Sequence, residues 1–312
     1  MSASARVRLF RREDRDQLTV LVNAHATAVV PGASASVNTV LSSLERCPEE
    51  YVTDPWVAER VTLVTEERGR IAAAAHLLRY RDDPDVGEDY RGTGHLAWIL
   101  HHPADDTAPD TRTEPTRAAE LLMSACLAQF GRWESRSRFC DGRLPVPGVY
   151  GIPEQWPHVR GLLERAGFVH TGTMEVLLLA TVDALPAPGA APLPGLIVRR
   201  TLGVLGTRFT ALLDGQEVAR LEVDTILERP ERHARPGCTA DLADLALSCG
   251  ADPLSLVWLL GEVRGWLVLS GVDRLFAYSD ETPDGAGERA MLSDLGFQEM
   301  TRTARAWEHR PA

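Results

Sequence analysis

The chain contains no lysine; all 33 of its basic residues are arginine. Catalysis through a lysine amine is therefore excluded. Cysteine is sparse and odd in number. Cys47, Cys126, Cys140, Cys238 and Cys249 are irregularly spaced, and no CxxC occurs. That pattern suits reduced thiols in the cytoplasm rather than a disulfide framework, and no neighbour marks any of them as an activated nucleophile. Metal-ligand spacing is also missing. His101 and His102 are adjacent in sequence, so on a strand they point to opposite faces, and no metal is expected. An excess of positive charge is absent too. The net charge of −11 repels phosphate backbones and argues against nucleic acid as a partner. No apolar run approaches the roughly 20 residues of a membrane span, and Met1-Ser2-Ala3-Ser4-Ala5-Arg6 lacks the apolar core of a signal peptide. The expectation is a cytoplasmic protein with no membrane partner.

What is present is a repeat. Gly167-Phe168 closes the helical segment Gly161-Leu162-Leu163-Glu164-Arg165-Ala166, and Gly296-Phe297 closes Arg289-Ala290-Met291-Leu292-Ser293-Asp294-Leu295. Each pair is followed by alternating Thr and apolar residues that read as a strand, and preceded by a long amphipathic helix and a short apolar strand. A chain of 312 residues has room for two domains of ordinary size. The Pro/Ala/Gly stretch 183–195 reads as a linker between domains at 1–182 and 196–312.

Both halves show one element order: strand, hairpin, strand, long helix, strand, helix, strand. In the first half the hairpin strands fall near 61–64 and 71–80, the next strand at 95–100, the long helix at 115–133, a short strand at 146–150, a helix at 155–166 and a final strand at 169–180. In the second half the hairpin is 207–213 with 217–223, followed by a strand at 240–247, a helix at 252–269, and strands at 274–278 and 298–308 around a helix at 288–295. Two early helices, near 14–29 and 36–46, belong to the first half alone. Arg8 lies 61 residues before Gly69, whereas Val198 lies only 17 before Gly215, which leaves no space for them in the second.

This order, together with Tyr150-Gly151-Ile152-Pro153-Glu154-Gln155-Trp156-Pro157-His158-Val159, Leu259-Leu260-Gly261 and Gly271-Val272-Asp273-Arg274-Leu275, resembles the GNAT acyltransferase superfamily. The whole chain is similar to tandem GNAT proteins of GC-rich bacteria. The resemblance implies an α/β fold of mixed sheets, with two consecutive GNAT-like domains. It also implies acetyl-CoA as acyl donor and direct transfer to a small-molecule amine acceptor. A homodimer is possible in such proteins. The pantetheine arm lies where the fourth strand splays from the fifth, here at Ile99, Leu100 and His101. The pyrophosphate sits on the amides that open the long helix, in a motif Arg/Gln-x-x-Gly-x-Gly/Ala. Unpaired amides and the positive end of the helix dipole make that an anion site, and glycine lets the backbone approach.

The chain departs from the motif twice. In the first half it reads Thr113-x-x-Thr116-x-Ala118, with Arg112 and Arg117 flanking it as possible phosphate partners. In the second half Leu254 and Leu256 replace the glycines, and Asp252-Pro253 is a strong helix start whose carboxylate repels phosphate. The family's proton-donating tyrosine is replaced by Leu163 and Leu292. Tyr150 as acid and Glu154 as base are the candidate catalytic residues, with His95 as a further possible base. The rival reading is a GNAT-fold protein that binds a ligand or partner without catalysis. Acetyl-CoA at about 100 times its dissociation constant should stabilise the protein by roughly 2.7 kcal/mol. The resulting rise in Tm is expected to vanish with Arg117→Glu if the donor binds the first half.

Overall fold

A computed structural model describes residues 5–45, 53–103, 116–225 and 238–309. It contains mixed sheets flanked by helices, and the chain divides into two compact units. One is Met1–Met174 with Thr301–Ala312; the other is Glu175–Met300.

The first unit opens with β1 (Arg6–Leu9) and two helices, α1 (Arg15–Val29) and α2 (Val37–Leu44). Leu18, Leu21, Val22, His25, Ala26 and Val29 recur at helical spacing and are the buried face of α1. Ser36 starts α2 by accepting from the Thr39 amide. The strands β2 (Val57–Glu67), β3 (Arg70–Tyr80) and β4 (Gly94–His101) form a meander. Next come α3 (Arg117–Arg132), β5 (Arg138–Cys140), β6 (Ile152–Pro153), α4 (Pro157–Arg165) and β7 (Phe168–His170). The second unit contains β8 (Met174–Thr181), β9 (Ile197–Leu202), β10 (Thr207–Leu213), β11 (Gln216–Asp224), β12 (Cys238–Leu247), α5 (Pro253–Leu269), β13 (Val272–Asp280) and α6 (Pro283–Asp294). The chain returns to the first unit along β14 (Gln298–Ala304) and ends with β15 (Trp307–His309).

Two features recur at matching places. Each hairpin turns through consecutive positive-φ residues, Arg68 (+52°) with Gly69 (+76°) and Asp214 (+50°) with Gly215 (+76°). That is the two-residue turn whose twist matches paired strands. Each fourth strand also carries a bulge. Pairing passes from His76↔Trp98 to Leu77↔Leu96 across Ala97, and from Glu222↔Asp244 to Val223↔Leu242 across Ala243. Beyond the bulge the parallel partner departs. β4 pairs with β5 only from Gly94↔Arg138 to Leu96↔Cys140, and β12 pairs with β13 only as far as Asp241↔Phe276.

Strand membership differs from the sequence expectation. β8 and β15 are exchanged: β8 lies antiparallel to β13, with Phe276 opposite Leu179, while β15 runs between β5 and β7, with Trp307 opposite both Cys140 and His170. The first sheet is therefore β1-β2-β3-β4-β5-β15-β7. For this reason the unit boundary falls at Met174/Glu175 and not at 182, and the C-terminal residues leave the second unit.

Three further expectations change. The fifth strand is Arg138–Cys140, and 146–150 is loop. Pro145 and Pro147 have no amide to donate to a ladder, and Gly148 sits at φ +74°. The strand expected at 169–180 breaks at Gly172, and that at 298–308 breaks at Ala306, φ +56°. The segment 183–195 is packed rather than a free tether: Trp258 Nε1 donates to the Gly189 carbonyl (3.0 Å) and Arg264 to that of Leu185 (2.9 Å).

Trp307 is 1% exposed, and its indole donates to the Ala304 carbonyl at 3.1 Å. Trp307→Ala is expected to cost about 3–5 kcal/mol in chemical denaturation. A chain ending at Met300 is expected to lose amide-exchange protection in β5 and β7 while β12 and β13 keep theirs. Equal protection in both units would show that the first sheet stands without β15.

Candidate active site

The splay between β4 and β5 is the natural place to look, because it frees a strand edge at the end of a parallel pair. The last paired residues before the bulge bring His95 and Phe139 opposite one another, their rings stacked at 4.3 Å. Tyr80 stacks on the same pair, and Tyr90 meets Phe139 edge-on at 5.7 Å. His95 is 7% exposed, and neither ring nitrogen makes a hydrogen bond within the described residues. Its Nε2 lies 3.4 Å from Asp141 Oδ2, within ion-pair range but not aligned as a hydrogen bond. Burial pushes the Asp141 carboxyl up. The combined pull of His95, Arg305 and Arg143 outweighs it and holds the group below its usual range. Burial, aided by Asp141, raises the Tyr90 phenol.

The loop after β5 is tied shut. The Gly151 amide donates to the Asp141 carbonyl at 2.7 Å, and Arg143 donates through its amide to the Ala97 carbonyl at the bulge, 2.8 Å. Gly142 and Gly151 both take positive φ, and a Cβ on Gly142 would lie 2.0 Å from the Gly151 carbonyl oxygen. Any side chain there is therefore refused on two grounds. Tyr150 directly precedes Gly151 in this loop, with the Arg305 guanidinium 5.3 Å from its ring. The Tyr150 carbonyl accepts from Thr303 Oγ1 at 2.6 Å. Glu154 follows β6. Its amide donates to the Arg302 carbonyl, and its carboxylate is exposed with no hydrogen bond or ion pair among the described residues. Asp141, Tyr90, Arg143 and Arg305 were not anticipated from sequence. The turn-forming pair Asp141-Gly142 was the one available signal; Arg305 comes from the far end of the chain.

At the start of α3, Thr116 is the N-cap, and its hydroxyl accepts from the Ala119 amide at 3.3 Å. The amides of Arg117 and Ala118 make no hydrogen bond among the described residues, and the Arg117 side chain is exposed. Arg112 lies outside the described residues. Ile99, Leu100 and His101 have buried side chains, so a ligand meets that stretch only through its main chain. His101 belongs to a buried trio with His25 and His158. His25 Nδ1 faces the Leu21 carbonyl at 2.9 Å and so carries the proton, leaving Nε2 to accept from His158 Nε2 at 3.2 Å. The His101 and His158 rings meet edge-on at 4.7 Å.

The second unit repeats part of this arrangement. By strand register and bulge, Asp241 occupies the place of His95 and Tyr278 that of Asp141. Tyr278 donates to Asp241 Oδ1 at 3.0 Å, and burial raises the Asp241 carboxyl to about 6. The helix start differs. Asp252 caps α5 by accepting from the Leu254 amide at 2.9 Å, which puts a carboxylate where phosphate would sit. Among the described residues no group of three or more His, Cys, Asp or Glu is placed to hold a metal, and no helix is long and apolar enough to cross a membrane.

No protein-family model and no curated protein matches the sequence. Solved structures do match. A tandem GNAT protein from the clavulanic acid biosynthesis pathway superposes with a TM-score of 0.56 at 15% identity, covering 99% of this chain and 100% of that one. A GCN5-related N-acetyltransferase from Sphaerobacter thermophilus does so at 0.57 and 15%, covering 99% and 96%. Matches that span both whole chains show that this protein has the tandem GNAT fold.

Burial also sets an acid sensitivity. It lowers His25 to about 4, and His76 and His158 to about 3. All three are neutral in the fold, while the unfolded chain takes up protons near 6.5. Their contribution is complete above pH 6.5 and is lost as the pH falls from there toward 3–4. Urea titrations should show stability declining over that window. His76→Leu is expected to flatten the slope by up to about 1.4 kcal/mol per pH unit. An unchanged slope would show that His76 titrates alike in both states.

Proposed function

We propose that the chain is an acyl-CoA-dependent N-acyltransferase that uses acetyl-CoA and acts through its first unit. The observation that carries this reading is a buried imidazole whose nitrogens make no hydrogen bond among the described residues, beside a carboxylate, at the splay of a tandem GNAT fold. Such an orphaned polar group calls for a ligand or water. The amine nitrogen of the acceptor attacks the thioester carbonyl, the C–N bond forms, and the C–S bond breaks to release the thiolate. His95 takes the proton from the attacking nitrogen, and Asp141 steadies the imidazolium that results. Tyr150 gives its proton to the departing thiolate. Glu154 is the second candidate base, exposed to solvent at the end of β6.

The donor end supports the same reading. The amides of Arg117 and Ala118, which make no hydrogen bond among the described residues, would offer an anion site at the start of α3, and the exposed Arg117 side chain adds positive charge. The second unit has Asp252 in that place and is assigned a structural role. Release of thiol from acetyl-CoA, followed over a panel of amines, tests the activity. His95→Gln is expected to lower kcat by roughly 10²–10⁴, and Asp141→Asn to lower it in the same direction, with acetyl-CoA affinity by calorimetry unchanged. Glu154→Gln is expected to change kcat little. Full activity in His95→Gln would sink the assignment of the base.

A further inference from the structure

We propose that the open edge of the second unit, strand β9, docks an extended acidic segment of another protein, held by Arg199 and Arg200. The surface is independent of the acyltransferase reading. β9 ends its sheet, with β10 on one side and no strand on the other. All six of its residues are exposed. The Gly203 amide donates to the Gly206 carbonyl at 2.7 Å, which sets the alternation of bonds along the β9–β10 pair. Val198, Arg200 and Leu202 therefore turn their main-chain groups outward, as a template for a further strand. Apolar side chains continue along this edge. Leu202 is 91% exposed, and Val204 and Leu205 in the turn that follows are 85% and 59% exposed. A groove of about 380 Å³ lies among Arg200, Leu202 and Trp266. An edge that is merely blunted against aggregation carries charge without such bare aliphatic groups.

The repeat shows which charge is missing. Arg8 in β1 pairs with Val64, and Arg199 in β9 pairs with Thr210; both partners lie four residues before their hairpin turns. Arg199 thus occupies the place of Arg8. The Arg8 guanidinium donates to Asp14 at 2.7 and 2.8 Å and to Glu66 at 2.7 Å. Asp14 lies in the segment leading into α1, which the second unit lacks, and Leu212 stands at the place of Glu66. Among the described residues neither Arg199 nor Arg200 has a carboxylate within ion-pair distance, and both are exposed. In a chain of net charge −11, two such arginines on a free edge fit carboxylates supplied by a partner. Guanidinium forks match carboxylates in geometry. Adjacent on a strand, the two arginines point to opposite faces. A strand added to β9 therefore meets them with two consecutive acidic residues. An apolar residue two positions from the one opposite Arg200 falls opposite Leu202, beside the groove. A second copy of this chain fits poorly, because full-length antiparallel pairing of β9 with its copy sets Arg199 against Arg200.

The test selects a phage-displayed library of random peptides on the full chain, and separately on Arg199→Ser/Arg200→Ser. The best peptide from the wild-type selection is synthesised, its Kd is measured by fluorescence anisotropy, and amide exchange is followed in the complex. The expected result is enrichment of an acidic pair with an apolar residue two positions away. Affinity is expected to be about tenfold weaker in the serine variant and largely kept in Arg199→Lys/Arg200→Lys, with all three proteins sharing one Tm. New amide protection is expected at Val198, Arg200 and Leu202. Absence of acidic enrichment, equal affinity in the serine variant, or protection away from β9 overturns the proposal. So does self-association of the wild type, seen by sedimentation equilibrium, that Leu202→Glu abolishes, since the edge would then belong to a second copy.

Discussion

The constraint on which the architecture depends is the pairing of β15 with β5. β5 is three residues long and meets β4 over a short parallel stretch, so on its own it would present an unfinished edge. β15 closes that edge with a buried tryptophan, and the end of β14 just before it brings Thr303, Ala304 and Arg305 to the loop that shapes the site. β8 does the reciprocal service for β13. Each repeat is therefore completed by a strand of the other. The first sheet depends on the β15 crossing and the second on that of β8, and the candidate site inherits the first dependence through Arg305.

The duplication also separates what the scaffold imposes from what has been altered. Both copies keep the hairpin turn, the bulge after a small polar-apolar step, and a polar pair across the fourth and fifth strands. In one copy the pair is imidazole and carboxylate; in the other it is carboxylate and phenol. The helix starts have diverged further. At Thr116 the next two amides make no hydrogen bond among the described residues, whereas Asp252 brings a charge of the wrong sign for phosphate. One architecture thus carries two differently charged helix starts.

Much of this was legible in the sequence where physics is local. The turns at Arg68-Gly69 and Asp214-Gly215, the Asp252-Pro253 helix start and the apolar face of α1 all follow from spacing and residue type. The exchange was not legible. Alternating residues announce a strand but not its neighbour, and β8 and β15 read equally well as strands of their own halves. β5 escaped notice because three residues carry no period; β4 and β15 make it a strand. The site was half visible. Tyr150 and His95 stood out as residue types, but the approach of Asp141 depends on a loop closed by two glycines, and that of Arg305 on the exchange.

The exchange has a consequence in time as well as in space. The first unit is begun by residues that precede the second unit in the chain and finished by residues that follow it. At 5–20 residues per second, translation of the second unit takes on the order of ten seconds. Throughout that interval β5 and β7 wait without the strand that belongs between them. The nascent chain must therefore protect two open β-edges until His309 emerges, and the unit that carries the candidate site becomes whole only after the second unit has been made.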